Sequence, residues 1–484
     1  MRCLALAQAW KDSGGEVTFL TTPGVRPLEE RVVSEGMQII HISAQPGSAA
    51  DAKDTATTAR DSCASWIVVD GYHFGADYQA IIKNSGHRLL VLDDYGHASH
   101  YYSDIVLNQN LQADESIYSN REVDTQLLLG TRYSLLRREF LKWHGWKREV
   151  PTVARKVLVT LGGGAPDNAT LKVVQALQLV KMDGMEGLIV VTGSNAQYQE
   201  IQSSILQSTM AMRLLNNVKK MPELMAWADV AIAAAGITAW ELAFMGLPSL
   251  FIVRANNQND TSERLNNLGA AINLGPVADL SCDKIARELE KCLVAADVRA
   301  EMAHHGRQLI DGNGASRVLL HLNSDKLHIR ELRESDCEQL WEWANDPDVR
   351  AVSFSSEPIS WEKHVEWFQL KLNEPNCVFQ IATTGREIPA GQIRYDLDGD
   401  HAVVSISLDR EFRGKGYGSL LIWHSAQELF HTMPVTTIHA YVKQGNEASV
   451  RAFQKAGYRK LGQTTIRDQE AVHLVLSRSG NNAE

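Results

Sequence analysis

Short apolar runs alternate with stretches of helical periodicity along the first 310 residues, and that alternation leaves few folds open. The runs are Glu16–Thr22, Ser65–Asp70 (SWIVVD), Arg88–Asp93 (RLLVLD) and Ile105–Asn108. Beyond Pro151 come Lys156–Leu161 (KVLVTL), Leu188–Thr192, Asp229–Ala234 and Leu247–Val253. Most are continuous in Val, Ile, Leu and Ala, the pattern of strands buried on both faces of a parallel sheet. Helices are expected at Asn168–Leu179, Asn195–Gln207 and Thr238–Met245. Two doubly wound α/β halves follow, residues 1–150 and 151–322.

The first half enters this rhythm on a helix. Apolar residues at helical spacing run from Arg2 to Asp12, Ser13-Gly14-Gly15 stops them, and only then does a strand begin. In doubly wound sheets the first strand usually sits centrally, with the ligand loop after it. A layer entered on its first helix leaves strand neighbours with unpaired backbone groups. The expectation is therefore a first half without its leading strand.

A different pattern starts after the helical stretch Asp297–Ile310. DGNGASR and the polar Asn323–Lys326 mark a boundary, and a third domain is expected over residues 327–480. It opens with a strand (LHIREL) and a helix with Ser335 as N-cap, ended by Asp346-Pro347. Strands are expected at Val378–Ala382, Ala390–Tyr395 and Ala402–Leu408, then a glycine-rich turn and a helix from Ser419 to Phe430.

Charge and cysteine usage narrow the function. With 48 basic and 58 acidic residues the formal charge is −10, which disfavours broad attraction to nucleic acid or anionic membrane. No apolar run approaches the roughly 18 residues of a membrane helix. MRCLALAQAW is too short and too weakly basic for a signal peptide, so a cytoplasmic setting is expected. Six scattered cysteines form no C-x-x-C pair, and no ligand cluster calls for a metal.

The sharpest motif is Arg413-Gly414-Lys415-Gly416-Tyr417-Gly418-Ser419, after a strand and before a helix. Glycines let backbone N–H groups turn inward onto a pyrophosphate, and the helix start adds positive potential. With Asn446-Glu447-Ala448-Ser449 and Ala452-Phe453-Gln454-Lys455-Ala456-Gly457-Tyr458, it resembles the GNAT acetyltransferase family over Leu327–Gly462. The resemblance implies an α+β fold and acetyl-CoA as co-substrate. Its pyrophosphate would lie on Arg413, Gly414, Gly416, Gly418 and Ser419, with Asn446 nearby, and its thioester carbonyl on backbone at Ser407-Leu408. Many such enzymes place a tyrosine acid where this chain has Phe453. The segment Trp341–Phe368 resembles subgroups that acetylate amino-sugar nucleotides or ribosomal protein N-termini, and Trp343, Asn345, Arg350 and His364 are candidates to face the acceptor. The alternative is that these tryptophans are core and the charges a solvated face.

In the second α/β half, Leu161-Gly162-Gly163-Gly164 lies between a strand and a helix, a phosphate turn or a tight connection. Ala235–Ala243 (AGITAWELA) places Gly236 and Thr238 at a helix start with Glu241 one turn in. A carboxylate there can accept two ribose hydroxyls, although a Thr-x-x-Glu capping box has the same spacing. Asn257-Gln258 follows the next strand. With Met1–Gln8, Asp70-Gly71-Tyr72, Asp93-Asp94-Tyr95 and Asn108-Gln109-Asn110, these residues resemble the nucleotide-sugar hydrolases of pseudaminic acid biosynthesis over residues 1–310. That family has a two-domain GT-B architecture and removes UDP from UDP-2,4-diacetamido-2,4,6-trideoxy-β-L-altropyranose. The resemblance implies Tyr72 and Asn257 as catalytic-site residues beside the sugar, Glu241 on the uridine ribose, and Gly163, Gly236, Thr238 and Gln258 in the substrate site. The family's histidine-bearing glycine loop precedes the segment matching Met1-Arg2-Cys3, so the chain is expected to be N-terminally truncated and its hydrolase impaired. His73 and His97 are the histidines near such a cleft, and a satisfied structural role is the commoner one for either.

Together these readings describe a bifunctional enzyme that acetylates a UDP-amino-sugar and then releases UDP. Two alternatives stand beside it: an acetyltransferase with a non-catalytic nucleotide-sugar-binding module, or a GT-B glycosyltransferase joined to a protein N-acetyltransferase.

Overall fold

Nearly every apolar run becomes a strand. The computed structural model describes residues 1–24, 26–162, 168–191, 195, 197–384 and 388–478, in two units, Met1–Ala315 and Ser316–Glu484. In the first unit the strands are β1 (Thr18–Thr21), β2 (Gln38–His41), β3 (Ile67–Asp70), β4 (Leu89–Leu92), β5 (Ile105–Asn108) and β6 (Gln126–Leu129). They continue as β7 (Lys156–Thr160), β8 (Glu186–Val191), β9 (Ala211–Asn216), β10 (Val230–Ala234), β11 (Ser249–Val253) and β12 (Ile272–Pro276).

The second-half sheet is parallel throughout and ordered β12-β11-β10-β7-β8-β9. Its β10 and β11 are buried at every residue, which is why VAIAA and SLFIV carry no polar side. Val157, Val159, Ile232 and Ile252 pack with Val173 and Leu177 of the helix Ala169–Leu179 and with Ile285 and Leu289. Leu158, Ala231, Ala233 and Phe251 point the other way, into a core around Trp240 and Phe244. The period-two alternation thus serves two helical layers at once.

The first half is divided. As the helix-first opening implies, the chain begins with a helix, Arg2–Asp12, and its strands form a two-stranded sheet β1-β2 and a four-stranded sheet β3-β4-β5-β6. Among the described residues, β1 pairs only with β2 and β3 only with β4.

The second unit holds β13 (His328–Glu331), β14 (Cys377–Thr383), β15 (Pro389–Asp398), β16 (His401–Leu408), β17 (Thr437–Lys443), β18 (Arg459–Ile466) and β19 (Gln469–Ser477), ordered β13-β14-β15-β16-β17-β19-β18. Its neighbours are antiparallel except β16 and β17, which run parallel for three pairs, His401↔Thr437 to Val403↔His439. Past those pairs the two strands continue without pairing. The fold is thus mixed α/β, two parallel Rossmann-like layers followed by an α+β sheet domain. The helix expected to start on Ser335 starts instead at Cys337, after a short turn over Glu334–Asp336. Asp336 is the cause: its carboxylate accepts from the Arg333 backbone N–H at 2.8 Å and pairs with Arg330 at 2.7 Å. No helix among the described residues is long and apolar enough to cross a membrane.

Candidate functional sites

In the second unit, the parting of β16 from β17 leads directly into the glycine-rich turn. Arg410–Phe412 form a short helical turn, and Arg413 folds back so that its Nε donates to the Leu408 carbonyl at 3.0 Å. The same guanidinium meets Asp346 at 3.0 Å and Asp348 at 3.3 Å. Arg413 therefore shapes the turn by binding its own protein. Gly414 (φ +73°) and Gly416 (φ +86°) adopt left-handed backbone, the reason for glycine there, since an added Cβ meets nothing within 4 Å at either position. Gly416 caps the 16-residue helix Tyr417–Thr432 without any side-chain hydrogen bond, so no cap side chain takes up the helix's first amides. Gly418 sits close under Leu408, where a Cβ would lie 3.3 Å from Leu408 Cδ1, and Ser419 is buried.

The neighbouring candidates have structural partners. Asn446 caps the helix Glu447–Lys455 by accepting from the Ser449 backbone N–H at 3.1 Å. Phe453 is a core residue, its ring 5.0 Å from that of Tyr458. Trp343 is buried and donates to Asp409 Oδ2 at 2.9 Å, bracing the start of the turn. Asn345 and Arg350 bond nearby backbone carbonyls, and buried His364 has Nε2 2.9 Å from the Cys337 carbonyl, with burial pushing its pKa down.

One feature of this unit escapes sequence reading. His401, His439 and His473, on β16, β17 and β19, form a row with 2.9 Å between His401 Nδ1 and His439 Nε2 and 2.9 Å between His439 Nδ1 and His473 Nε2. Burial, then the neighbouring imidazoles, lowers the His439 pKa. Only the sheet order brings the three together.

In the first unit, β7 and β10 are adjacent while their connections leave in opposite directions across the sheet, the switch point where such layers take ligands. Leu161-Gly162 follows β7, with Gly162 at φ +76°, and Ala235-Gly236 follows β10. Arg254 donates to the Leu161 carbonyl. Gln258 Oε1 accepts from the Arg254 backbone N–H at 3.0 Å, and a Cβ on Gly236 would lie 3.7 Å from Gln258 Nε2. Gly162, Gly236 and Gln258 thus share one corner; Gly163 lies outside the described residues.

Thr238 opens the helix Thr238–Phe244, but no capping box forms. Glu241 is buried and faces Arg137, which reaches its Oε1 from Nε at 2.9 Å and from Nη2 at 2.8 Å. Burial lifts its carboxyl above the usual range, partly offset by Arg137. Across from this corner, Tyr72 OH donates to Asp94 Oδ2 at 2.7 Å and lies 3.4 Å from Asn257 Nδ2. Asp94 also takes Asn110 at 2.8 Å and Arg2 at 2.7 Å, and Arg2 pairs with Asp70 at 2.9 Å. Tyr72 and Tyr95 are exposed with rings 4.9 Å apart, an aromatic wall on the same side.

Asp93 is fully buried and holds the turn beneath this wall, accepting from Tyr101 OH at 2.6 Å, from the Gly96 N–H at 2.8 Å and from His97 Nδ1 at 2.8 Å. His97 Nε2 also lies 3.4 Å from the Phe74 carbonyl, and the exposed His73 ring lies tilted against that of Phe74, 4.2 Å between centroids. Hydrogen bonds from His97 and Tyr101 outweigh burial and depress the Asp93 pKa; the Asp93 carboxylate outweighs burial and raises that of His97. The depressed carboxyl contributes stability above its unfolded pKa and loses it as pH falls. The raised imidazole contributes fully below its unfolded pKa and loses it as pH rises through its folded value. The melting temperature of the first unit should therefore plateau between roughly pH 4 and 6.5 and decline on both sides. In a His97→Asn protein the upper edge should flatten; an unchanged profile would exclude this pair as its source.

Among the described residues no group of three or more His, Cys, Asp or Glu side chains is placed to hold a metal ion. Residues 326–459 match the family described as Acetyltransferase (GNAT) domain, and residues 157–316 match Glycosyltransferase family 28 C-terminal domain. The chain is 22% identical over 477 residues to an uncharacterized protein of Methanocaldococcus jannaschii, covering 95% of this chain and 93% of that one. It is 26% identical over 234 residues to the spore coat polysaccharide biosynthesis protein SpsG of Bacillus subtilis, covering 48% and 68%. It is 27% identical over 206 residues to the pseudaminic acid cytidylyltransferase and UDP-2,4-diacetamido-2,4,6-trideoxy-beta-L-altropyranose hydrolase of Helicobacter pylori, covering 42% of this chain and 37% of that protein. The chain joins a GNAT acetyltransferase domain to a module like those of nucleotide-sugar enzymes.

Proposed function

We propose that the second unit acetylates the free amine of a UDP-linked amino sugar and that the first unit binds that class of nucleotide-sugar and releases UDP from it, in the biosynthesis of pseudaminic acid or a related nonulosonic acid. The observation that carries the reading is the parting of β16 from β17 after three pairs, immediately ahead of a turn with two left-handed glycines and a helix start without a side-chain cap. Acetyl-CoA supplies the activated acyl group. The amine nitrogen bonds the acetyl carbon, the carbon–sulfur bond breaks, and the proton shed by nitrogen is matched by the one the thiolate takes up. The turn amides from Gly414 to Ser419 serve the pyrophosphate, and main chain at Leu408 serves the carbonyl where negative charge develops. Arg413 keeps these groups in register through Leu408, Asp346 and Asp348.

In the first unit, Gly162, Gly236 and Gln258 serve the diphosphate at the switch point, with Tyr72 and Asn257 beside the sugar. Glu241 takes the ribose hydroxyls while sharing its carboxylate with Arg137. A second reading, in which this unit binds the nucleotide-sugar without cleaving it, is favoured by one observation: His97 is engaged by Asp93 and the Phe74 carbonyl.

The test incubates the full chain with acetyl-CoA and UDP-linked amino sugars, following free thiol by a colorimetric reagent and UDP by chromatography. Thiol release dependent on the amino sugar, followed by UDP, is the expected result. Thiol release without UDP selects the binding reading, and thiol release with peptide amines alone overturns the substrate assignment. In a Tyr72→Phe protein, which loses the hydrogen bond to Asp94, nucleotide-sugar affinity should fall by roughly tenfold in calorimetry.

A further inference from the structure

Acetyl transfer moves a proton twice, off the amine nitrogen and onto the departing thiolate. Phe453 supplies neither acid nor base, being buried with its ring against Tyr458. Titratable groups at the opening between β16 and β17 have to come from the strands themselves.

β17 alternates strictly. Ile438, Ala440 and Val442 are buried and pack with Leu421 and Leu429 of the helix Tyr417–Thr432, so Thr437, His439, Tyr441 and Lys443 share the other, half-exposed face. The imidazole row lies on that face and runs obliquely along it. His401 is level with Thr437, His439 is level with Val403, and His473 faces Tyr441 across the β17–β19 ladder. Val403↔His439 is the last β16–β17 pair. The row therefore starts at the exposed His401, where the strands are joined, and ends at His473, where they have parted. The Tyr441 ring stacks on that of His473 with centroids 4.7 Å apart. Just beyond, Lys443 Nζ donates to the Ala351 and Ser353 carbonyls at 3.3 Å, and Gln469 Nε2 donates to the Phe354 carbonyl at 2.8 Å. Residues 351–354 are thus tied across the open end of this face.

The two ends of the row differ. His473 Nδ1 ends it at the opening, and His401 Nε2 ends it in solvent, 3.5 Å from Asp400 Oδ1. From β15, Asp398, Asp396 and Arg394 stand opposite His401, Val403 and Ser405, with Asp396 engaged by Lys371 at 2.8 Å and Arg394 at 3.0 Å. On the far side, β18 sets Gly462 against His473. Burial and the flanking imidazoles lower the His439 pKa, which keeps the middle ring neutral near pH 7 and free to pass a proton on.

We propose, resting on the acetyl-transfer role of this unit, that His473, His439 and His401 are a proton relay between the amine and solvent. His473 Nδ1 takes the proton as nitrogen bonds the acetyl carbon. His473 Nε2 passes one to His439 Nδ1, His439 Nε2 passes one to His401 Nδ1, and His401 Nε2 releases one to water beside Asp400. When the carbon–sulfur bond breaks the transfers run backward, so the thiolate gains its proton from His473 Nδ1 and the row is restored. His473 meets the substrate, and His439 and His401 act through it.

The test follows thiol release by the full chain with acetyl-CoA and UDP-linked amino sugars. A His401→Ala protein, altered at the exposed end, should lose roughly tenfold in kcat while KM for both substrates stays the same. Imidazole added to the buffer should restore most of that rate and leave the parent protein unchanged. Pyrazole, of the same size and scarcely basic, should restore none. A His439→Phe protein, which keeps an aromatic ring but breaks the row at its centre, should lose a similar factor without rescue by imidazole. Full kcat in both variants while the parent releases thiol overturns the relay alone, as does equal rescue by pyrazole, which would mean that the imidazole only fills space. A parent protein that releases no thiol with any amine overturns the acetyl-transfer reading and the relay with it.

Discussion

A Gly416→Val protein should lose about a hundredfold in kcat/KM for acetyl-CoA, equivalent to about 2.7 kcal/mol of transition-state stabilisation. The residue sits at φ +86° at the cap of the helix Tyr417–Thr432, where a β-branched side chain costs about 1–2 kcal/mol in backbone strain. That strain is relieved only by turning the peptide, which carries the turn amides away from a common focus. Crowding makes no contribution, because an added Cβ at this position meets no atom within 4 Å. Gly418→Ala provides the comparison: its backbone lies outside the left-handed region and the new Cβ meets only the flexible Leu408 side chain at 3.3 Å. It should retain most of the activity. Full turnover by the valine protein in steady-state kinetics would remove the glycine turn from the acetyl-CoA site.

The second large effect lies in the first unit. Arg137→Met should destabilise it by about 3–5 kcal/mol, because buried Glu241 then loses the guanidinium it is paired with. The carboxyl already sits above its usual range, and without Arg137 it should rise further. A raised carboxyl pKa means the folded state holds a proton that the unfolded state gives up. The penalty should therefore be smallest in acid and grow as pH rises past the ordinary glutamate value of about 4.3. Adding Glu241→Gln should recover most of the loss, since a neutral amide needs no counter-charge. Urea unfolding followed at two pH values checks both points. Equal stability of Arg137→Met and the parent protein would show that the pair does not hold this helix.

How much of this was legible in the residues depends on the range of the interaction. Central strands such as β10 and β11 announce themselves because both faces are buried and no polar residue interrupts them. The edge strands β2 and β9, reading QIIH and AMRLLN, are partly exposed, and their mixed pattern fits a helix or a loop equally well. The glycine turn was legible because it is local, its conformation set by residues within a few positions of one another.

Partnerships between distant residues were not. Glu241 could be read as a ribose acceptor or a cap, and nothing in the adjacent sequence points to Arg137, 104 positions earlier. Arg413 reads as a cation for phosphate, yet Asp346, 67 positions before it, holds its guanidinium. Asn345 and His364 look like groups awaiting an acceptor, and backbone carbonyls contributed by the fold engage both.

The imidazole row across β16, β17 and β19 obeys a simple count. Each nitrogen–nitrogen contact needs one proton, so three neutral rings must all point their tautomers the same way along the row. Reversing one obliges the other two to reverse. The central ring of His439 can carry an extra proton and donate to both sides, but a second extra proton leaves two donors face to face. Across the three pairs that join β16 to β17, the two strands thus share a device with two neutral polarities and room for a single positive charge.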